Sequence, residues 1–180
     1  MLELRNIVKV YQGGTVNETC LFNDFSLSIP ERQFVCVVGS NGSGKTSLLN
    51  IICGSIPIDE GKIVVDGIDV TPMSEHKRAA LFGRVFQDPM TGTAANMQIE
   101  ENLALALRRG QKRGLKIGIT RAEREMYREK LSTLGLGLEN RMTAKVGLLS
   151  GGQRQALTLL MATLKKPKLL LLDEHTAALD

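Results

Sequence analysis

The sequence predicts an α/β fold with a mixed or parallel sheet core, an antiparallel β subdomain and a helical subdomain. Three observations predict it. Apolar and polar residues alternate with a period of two near the N-terminus, apolar runs typical of core strands occur at residues 34–38 and 168–172, and helical spacing marks residues 99–138. With 180 residues and 43% hydrophobic content, the chain can bury about two thirds of its unfolded surface. We therefore expect one domain over residues 1–180.

Antiparallel strands with one solvated face are predicted for the first third of the chain. Residues 2–7 alternate between apolar and polar side chains, as do residues 27–29. Asp66-Gly67 lies between two β-branched runs and is typical of a two-residue hairpin turn. The other elements predicted before residue 90 are a strand at residues 34–38, a helix starting near Ser47, a short helix at residues 74–80 and a strand at residues 81–86.

Helices are predicted for much of the second half. Apolar residues recur at helical spacing among charged ones at Leu103, Leu107, Tyr127, Leu131 and Leu134. Glycines at positions 110, 114 and 118 divide this region into two helical arms. A further helix is predicted at residues 151–164 and a buried strand at residues 168–172.

Composition and charge narrow the class of protein. No apolar run is long enough to cross a bilayer and the N-terminus lacks a signal-peptide layout, so a cytosolic chain is expected. The three cysteines are odd in number and too far apart in sequence for a metal-ligand pair. The net charge is +4, and basic residues cluster at Arg108, Arg109, Lys112, Arg113 and Lys116. This basic segment is either a solvated loop or a contact with lipid headgroups or a partner.

A glycine-rich loop after the predicted strand at residues 34–38 fits the pattern G-x-x-x-x-G-K-[ST]. Its glycines allow backbone N–H groups to surround phosphate oxygens, and the following helix presents its positive end to the same anion. Lys45 is expected to reach the β and γ phosphates, and the Thr46 hydroxyl to bind Mg²⁺. The candidate nucleotide-binding residues are Gly39, Ser40, Asn41, Gly42, Ser43, Gly44, Lys45, Thr46 and Ser47. The alternative is a glycine-rich turn with a chance lysine.

Two carboxylates, Asp173 and Glu174, follow an apolar run of four leucines. A carboxylate at the end of a buried strand can hold Mg²⁺, and its neighbour can orient or deprotonate an attacking water. Asp173 is therefore the candidate metal ligand and Glu174 the candidate catalytic base. The alternative is an ordinary strand end with solvated acidic residues, and the glycine-rich loop upstream favours the catalytic interpretation.

Further motifs accompany the glycine-rich loop and the Asp173-Glu174 pair. Gln87 lies in Val85-Phe86-Gln87-Asp88-Pro89, and Leu149-Ser150-Gly151-Gly152-Gln153 and Ala178-Leu179-Asp180 follow downstream. In this order the motifs resemble those of the ATPase subunits of ABC transporters, over essentially the whole chain. The resemblance implies a P-loop NTPase fold of ABC type with ATP and Mg²⁺ as cofactors. It also implies a nucleotide-binding core with its β subdomain at residues 1–87 and 150–180, and a helical subdomain at residues 88–149.

The resemblance implies roles for individual residues. Tyr11 would stack on adenine. Gln87 would contact Mg²⁺, act in catalysis beside Lys45 and Glu174, and relay nucleotide state to the helical subdomain. A helix N-terminus would bind the γ phosphate held by the opposite subunit of a head-to-tail homodimer, and its residues would be Ser150, Gly151, Gly152 and Gln153. Asp180 would belong to the loop that couples the two sites.

Some segments resemble more narrowly the ATPase of bacterial uptake systems for tryptophan or tyrosine, namely residues 83–102, 150–168 and 173–180. Two departures weaken the transfer of a substrate: His175 stands where many relatives have proline, and Ala156 where arginine is common. The chain ends at Asp180, before the switch histidine of the family. We therefore expect a fragment that is poorly active alone.

The function implied by the resemblance is an ATP-hydrolysing, energy-coupling subunit, peripheral on the cytoplasmic face of the cell membrane. Its partners would be a membrane permease and an extracytoplasmic substrate-binding protein, with no nucleic acid. Import of a small solute such as an amino acid is favoured, since the Ser150 motif lacks the glycine-rich lead of many exporters. The alternatives are a soluble ABC-type ATPase acting on DNA or ribosomes, suggested by the net charge and the basic segment, and a nucleotide-binding module with little turnover.

Overall fold

The computed structural model describes residues 1–88, 90–111 and 118–173. The chain divides into two compact units, Met1–Ala79 and Ala80–Asp180. The first contains β1 (Leu2–Tyr11), β2 (Thr19–Ile29), α1 (Lys45–Cys53), β3 (Glu60–Val65), β4 (Ile68–Asp69) and α2 (Glu75–Arg78). The second contains β5 (Phe82–Val85), α3 (Ile99–Leu107), α4 (Arg121–Ser132), 3₁₀ turns at Leu138–Asn140 and Val146–Leu148, α5 (Gly151–Leu164) and β6 (Leu169–Leu172).

An antiparallel sheet in the order β2-β1-β3-β4 forms the β portion of the first unit. Leu2, Leu4 and Ile7 of β1 are buried, while the residues between them are half-buried (Glu3) or exposed (Arg5 and Asn6), so the predicted strands with one solvated face are confirmed. The pairing of β1 with β2 shifts register between Leu4 and Ile7. Asn6 within this shift has φ 50°. Between these two pairs β1 has one residue more than β2, and this bulge interrupts the period-two alternation. The strand continues past the bulge to Tyr11, beyond the predicted end.

The hairpin predicted at Asp66-Gly67 is confirmed. Both residues have positive φ, 50° and 78°, and Val65 pairs with Ile68 on either side of them. This is the two-residue turn whose twist matches that of the strands it joins.

The strand predicted at residues 34–38 is wrong. Residues 33–40 have no regular secondary structure, and Phe34 and Val38 are each 88% exposed. A strand requires a neighbour to pair its backbone N–H and C=O groups, and among the described residues no ladder includes residues 34–38. Apolar composition alone therefore did not produce a strand here.

The first and last elements described in the second unit, β5 and β6, pair as parallel strands. Phe82 lies opposite Leu169, and Val85 lies opposite Leu172. Of the four leucines in β6 only Leu171 is buried, and Leu170 is 36% exposed. The predicted buried strand is therefore correct in position and only partly correct in burial. Within the described residues β6 has a single neighbouring strand, which leaves one edge and part of its faces uncovered.

The two helical arms predicted after residue 99 are confirmed as α3 and α4. Gly110, with φ 72°, lies just beyond α3, and Gly118 precedes α4, whereas Gly114 is outside the described residues. Their core is formed by Ile99, Leu103, Ala104, Tyr127, Leu131, Leu138, Met142, Val146, Leu149 and Leu157. The helix predicted at residues 74–80 is shorter than expected, at Glu75–Arg78.

Candidate functional site

The glycine-rich loop leads into the N-terminus of α1. Gly42 and Gly44 have φ of 80° and 91°, a left-handed conformation that favours glycine. A Cβ on Gly39 would lie 2.6 Å from the Ser43 hydroxyl, so a larger residue at this position would displace the Ser43 side chain. The first turn of α1 contains no acidic residue. The positive end of the helix is therefore not neutralised by its own sequence, as an anion site requires.

Lys45 is the first residue of α1 and its side chain turns back over the loop. Its Nζ donates hydrogen bonds to the carbonyl oxygens of Gly39 and Ser40, both at 2.9 Å. The backbone N–H of Ser43 donates to the Ser40 carbonyl at 3.2 Å and closes the turn. The ammonium group therefore lies over the same turn whose N–H groups are the predicted phosphate ligands. Thr46 and Ser47 follow in the first helical turn.

Tyr11, the predicted adenine-stacking residue, ends β1. It is 38% exposed, and the Lys9 Nζ lies 5.5 Å from its ring centroid. An exposed ring can stack on a base. The adenine role stays a prediction.

The second unit brings two predicted Mg²⁺ ligands to one end of a strand pair. Because β5 and β6 are parallel with Val85 opposite Leu172, Gln87 and Asp173 both follow the carboxyl ends of these strands. Asp173 is 6% exposed, and its backbone N–H donates to the Val85 carbonyl at 3.1 Å. Gln87 is exposed. The carboxyl ends of parallel strands are where ligands bind in open α/β sheets.

The structure places the Ser150 motif at the N-terminus of α5, as the resemblance implied. The Ser150 hydroxyl accepts a hydrogen bond from the Gln153 N–H at 3.3 Å, and the Gln153 side chain accepts one from the Ser150 N–H at 3.2 Å. This reciprocal capping fixes where the helix begins. A Cβ on Gly151 or Gly152 would meet no described atom within 4 Å, and the first turn of α5 has no acidic residue. This helix end is therefore also open to an anion.

Two predicted site residues, Glu174 and Asp180, lie outside the described residues, as do Pro89 and residues 112–117. Among residues 1–88, 90–111 and 118–173, no three His, Cys, Asp or Glu side chains lie together as a metal cluster. Mg²⁺ is usually held by one or two carboxylates together with substrate phosphates. The predicted set of Thr46, Gln87 and Asp173 supplies oxygen donors of that kind.

The described part of the basic segment participates in packing. Arg108 pairs with Glu123 at 2.8 Å, and Arg109 donates to the carbonyl oxygens of Ala162 and Lys165 at 3.4 and 3.3 Å. Burial lowers the pKa of Arg109. These two arginines are therefore structural, and the question of a solvated loop or a contact surface concerns only the residues after them.

Sequence reasoning missed a buried asparagine. Asn102 is 1% exposed, and its side chain accepts from the N–H of Ala94 and donates to the carbonyls of Ala94 and Gln98. It therefore holds the loop that follows Gln87. Its position on the polar side of a predicted helix gave no signal of this contact, because the partners belong to a loop without periodicity.

No helix in the described parts of the chain is both long and apolar enough to cross a membrane. The described cysteines are free thiols, with Cys53 buried and Cys20 and Cys36 exposed.

Comparisons with known proteins identify the family. A family model described as ABC transporter matches residues 22–177. The chain is 43% identical to the tyrosine transport ATP-binding protein of Clostridioides difficile over 180 residues, covering all of this chain and 71% of that protein. It is 35% identical to the ABC transporter ATP-binding protein YtrE of Bacillus subtilis, over 93% of this chain and 70% of that one. The spermidine/putrescine import ATP-binding protein PotA of Haemophilus influenzae is 35% identical, but the chain spans only 44% of its length.

Comparison with solved structures supports the same family assignment. The dimeric post-hydrolysis state of the ATP-binding cassette MJ0796, bound to ADP and Pi, superposes with a TM-score of 0.83 at 30% identity. The alignment covers all of this chain and 76% of that one. The chain therefore belongs to the ABC transporter family, and the predicted ABC-type α/β fold is confirmed. The narrower resemblance to tyrosine-type uptake ATPases is also confirmed, as a resemblance.

Proposed function

We propose that this chain binds and hydrolyses ATP as the energy-coupling subunit of an ABC membrane transporter. The observation that carries the proposal is the N-terminus of α1, where Gly42 and Gly44 are left-handed, Lys45 lies over the turn and the first helical turn contains no acidic residue. This arrangement suits the β and γ phosphates of a nucleotide.

Catalysis at such a site is mostly positioning and electrostatic stabilisation. Lys45 would neutralise charge on the transferred γ phosphoryl group, and Tyr11 would hold the adenine. Thr46, Gln87 and Asp173 would hold Mg²⁺, which would offset the negative charge of the phosphates when bound. Glu174 would orient or deprotonate the attacking water.

Two copies would complete the site, head to tail. The first turn of α5, after Ser150, contains no acidic residue, and the positive end of the helix favours contact with a γ phosphate held by the opposite copy. Asp180 would lie in the loop that couples the two sites. The dimeric structures of a 30% identical cassette support this assembly.

The transporter role follows from the relatives. The most informative are named for tyrosine transport and for spermidine/putrescine import, so we favour import of a small solute such as an amino acid. A membrane permease and an extracytoplasmic binding protein would be the partners, with the chain peripheral on the cytoplasmic face. Residues 88–149 would form the helical subdomain that contacts the permease, and residues 1–87 and 150–180 the nucleotide-binding core.

The alternative of a soluble ATPase acting on DNA or ribosomes has less support. The net charge and the basic segment suggest it, yet Arg108 forms an ion pair with Glu123 and Arg109 donates hydrogen bonds to backbone carbonyl groups. ATPase activity that rises with added nucleic acid and falls steeply with salt would favour this alternative instead.

A pair of lysine variants tests the nucleotide site. We expect Lys45→Met to lose binding of a fluorescent ATP analogue by at least tenfold, because one charge-assisted contact to phosphate contributes on the order of 1.5–3 kcal/mol. Lys77→Met is the matched control, since Lys77 is an exposed lysine on α2 in the same unit. Equal binding by wild type and Lys45→Met would contradict the assignment of this loop.

A second variant tests the proposed base. Glu174→Gln should leave ATP binding intact, lower turnover by a factor of about 10²–10⁴, and trap the dimer with ATP. Turnover equal to wild type would reject Glu174 as the base. Affinity capture from gently solubilised membranes would then separate a polytopic permease from ribosomes or DNA-binding proteins as the partner.

A further inference from the structure

The loop after Gln87 is joined by backbone hydrogen bonds to the turn before Ser150. The N–H of Val146 donates to the Met97 carbonyl at 3.0 Å, and that of Gly147 donates to the Ala95 carbonyl at 2.8 Å. Gln98 and Lys145 form an isolated antiparallel bridge beside them. A shift of the loop would therefore be transmitted to the Val146–Leu148 turn and to the residues that follow it.

Arg154 holds that turn from the other side. Its Nη2 donates to three carbonyl oxygens, those of Val146 at 3.4 Å, Gly147 at 3.2 Å and Leu149 at 3.2 Å. The same guanidinium contacts the sulfur of Met90, three residues after Gln87. The backbone of Arg154 is fixed as well, because its N–H donates to the Ser150 carbonyl at 2.9 Å.

One side chain thus links three parts of the second unit: the start of α5, the turn that precedes it and the loop after Gln87. Arginine is suited to this position, because its planar fork can address several acceptors at once while a lysine ammonium acts as a compact point charge. Without the Arg154 donor, the carbonyl groups of Val146, Gly147 and Leu149 could reorient, and the backbone of the Val146–Leu148 turn would be less ordered.

We propose that Arg154 is a positioning residue for the γ-phosphate site at Ser150. It sets the orientation of the Val146–Leu148 turn and so links the helix start at Ser150 to the loop after Gln87. The inference rests on the proposed function, because it matters only if the Ser150 end of α5 binds a nucleotide phosphate. A displacement of about 1 Å at a catalytic group can cost up to about 10² in rate.

The test compares Arg154→Ala and Arg154→Lys with Arg128→Ala and Arg128→Lys. Arg128 is the matched control: it lies on α4, its side chain is 48% exposed, and it pairs with Glu125 at i−3. Three measurements are made on the purified protein: hydrogen exchange of the amides of residues 146–153, equilibrium binding of a fluorescent ATP analogue, and ATP turnover as a function of ATP concentration.

We expect Arg154→Ala to raise amide exchange in residues 146–153 by about tenfold and to lower kcat by about tenfold or more. Equilibrium ATP binding should stay within twofold of wild type, because Lys45 and its loop are unchanged. Arg154→Lys should recover only part of the lost kcat, and millimolar guanidinium should restore part of the activity of Arg154→Ala. The Arg128 variants should match wild type throughout.

The outcomes separate this role from the proposed function. A wild type that does not bind ATP would overturn the proposed function, and this role with it. If the wild type binds ATP but its turnover is too low to compare, equal amide exchange of residues 146–153 in wild type and Arg154→Ala would overturn the positioning role. A wild type that turns over ATP together with an Arg154→Ala variant of equal kcat would overturn the positioning role alone. Loss of ATP binding in parallel with kcat, without rescue by guanidinium, would show a general loss of folding and would also overturn it.

Discussion

Arg78 is a buried charge whose removal should strongly destabilise the first unit. The side chain is 4% exposed. Its guanidinium donates to the carbonyls of Met73 at 3.0 Å, Ile51 at 2.9 Å, Ile52 at 3.0 Å and Thr71 at 3.0 Å. Two of these acceptors belong to the last turn of α1, so Arg78 adds to the C-terminal cap that left-handed Gly54 forms on the helix that begins at Lys45.

The magnitude follows from these contacts. A hydrogen bond from a charged donor contributes about 1.5–3 kcal/mol, so four of them amount to about 6–12 kcal/mol before costs. Burial lowers the pKa of Arg78, which reflects the cost of desolvating the guanidinium, and that cost is several kcal/mol for a buried ion. We therefore expect Arg78→Met to lower the free energy of unfolding by about 3–5 kcal/mol. Arg78→Lys should lose about half as much, since it keeps the charge but has fewer donors.

The assay is urea unfolding followed by circular dichroism, with the m-value checked for a change in cooperativity. Arg5→Met is the matched control, because Arg5 belongs to the same unit, its side chain is 58% exposed and it pairs with Glu3 at the surface. Exposed ion pairs contribute about 0–1 kcal/mol. If Arg78→Met loses less than about 1 kcal/mol, or no more than Arg5→Met, the carbonyl contacts do not stabilise the fold as argued.

Three further predictions concern the second unit. Hydrogen bonds from Thr120 and pairing with Arg108 lower the pKa of Glu123 in the folded protein. The ionised Glu123 carboxylate therefore stabilises the fold above its usual pKa of about 4.5, and this stabilisation is lost as the pH falls through the lowered pKa of the folded state. Glu123→Gln should flatten that part of the acid unfolding curve. Within the described parts of the chain the buried Tyr127 hydroxyl has no hydrogen-bond partner, so Tyr127→Phe should leave the melting temperature equal or higher. A Cβ on Gly83 would lie 2.6 Å from the Ala162 carbonyl oxygen, so Gly83→Ala should lower the free energy of unfolding by about 1–3 kcal/mol. A Cβ on Gly118 would meet no described atom within 4 Å, so Gly118→Ala should be neutral in the same urea assay.

Periodicity predicted the elements whose neighbours are close in sequence. The hairpin at Asp66-Gly67 and the helices α3 to α5 were foreseen because their hydrogen bonds are local or their apolar faces repeat regularly. The strand at residues 34–38 was wrong because a ladder depends on a partner strand that composition does not specify. The continuation of β1 to Tyr11 was missed because the shift near Asn6 interrupts the alternation.

The candidate site could likewise be predicted only in part from the sequence. The sequence predicted one helix starting near Ser47 and another at residues 151–164, and in the structure these helices begin at Lys45 and Gly151. It also predicted that Asp173 would follow a strand, and parallel pairing then brings it to the same end as Gln87. The contacts of Asn102 and Arg154 could not be predicted, because a polar residue on a helix has the same pattern in sequence whether it faces water or a loop.

The positive charge of this chain illustrates why composition misled one hypothesis. Arg78 donates to carbonyls at the end of α1, and Arg109 donates to those of Ala162 and Lys165 at the end of α5. Neither helix has a basic residue in its own last turn, so cations from elsewhere in the chain satisfy the negative ends of the two helices whose positive ends are the proposed phosphate sites. Arg154 likewise serves backbone carbonyls. These arginines contribute to the net charge of +4, yet their guanidinium groups are committed to the fold. Part of the basic charge therefore serves backbone carbonyl groups of the fold, which weakens the net charge as evidence for a nucleic-acid partner.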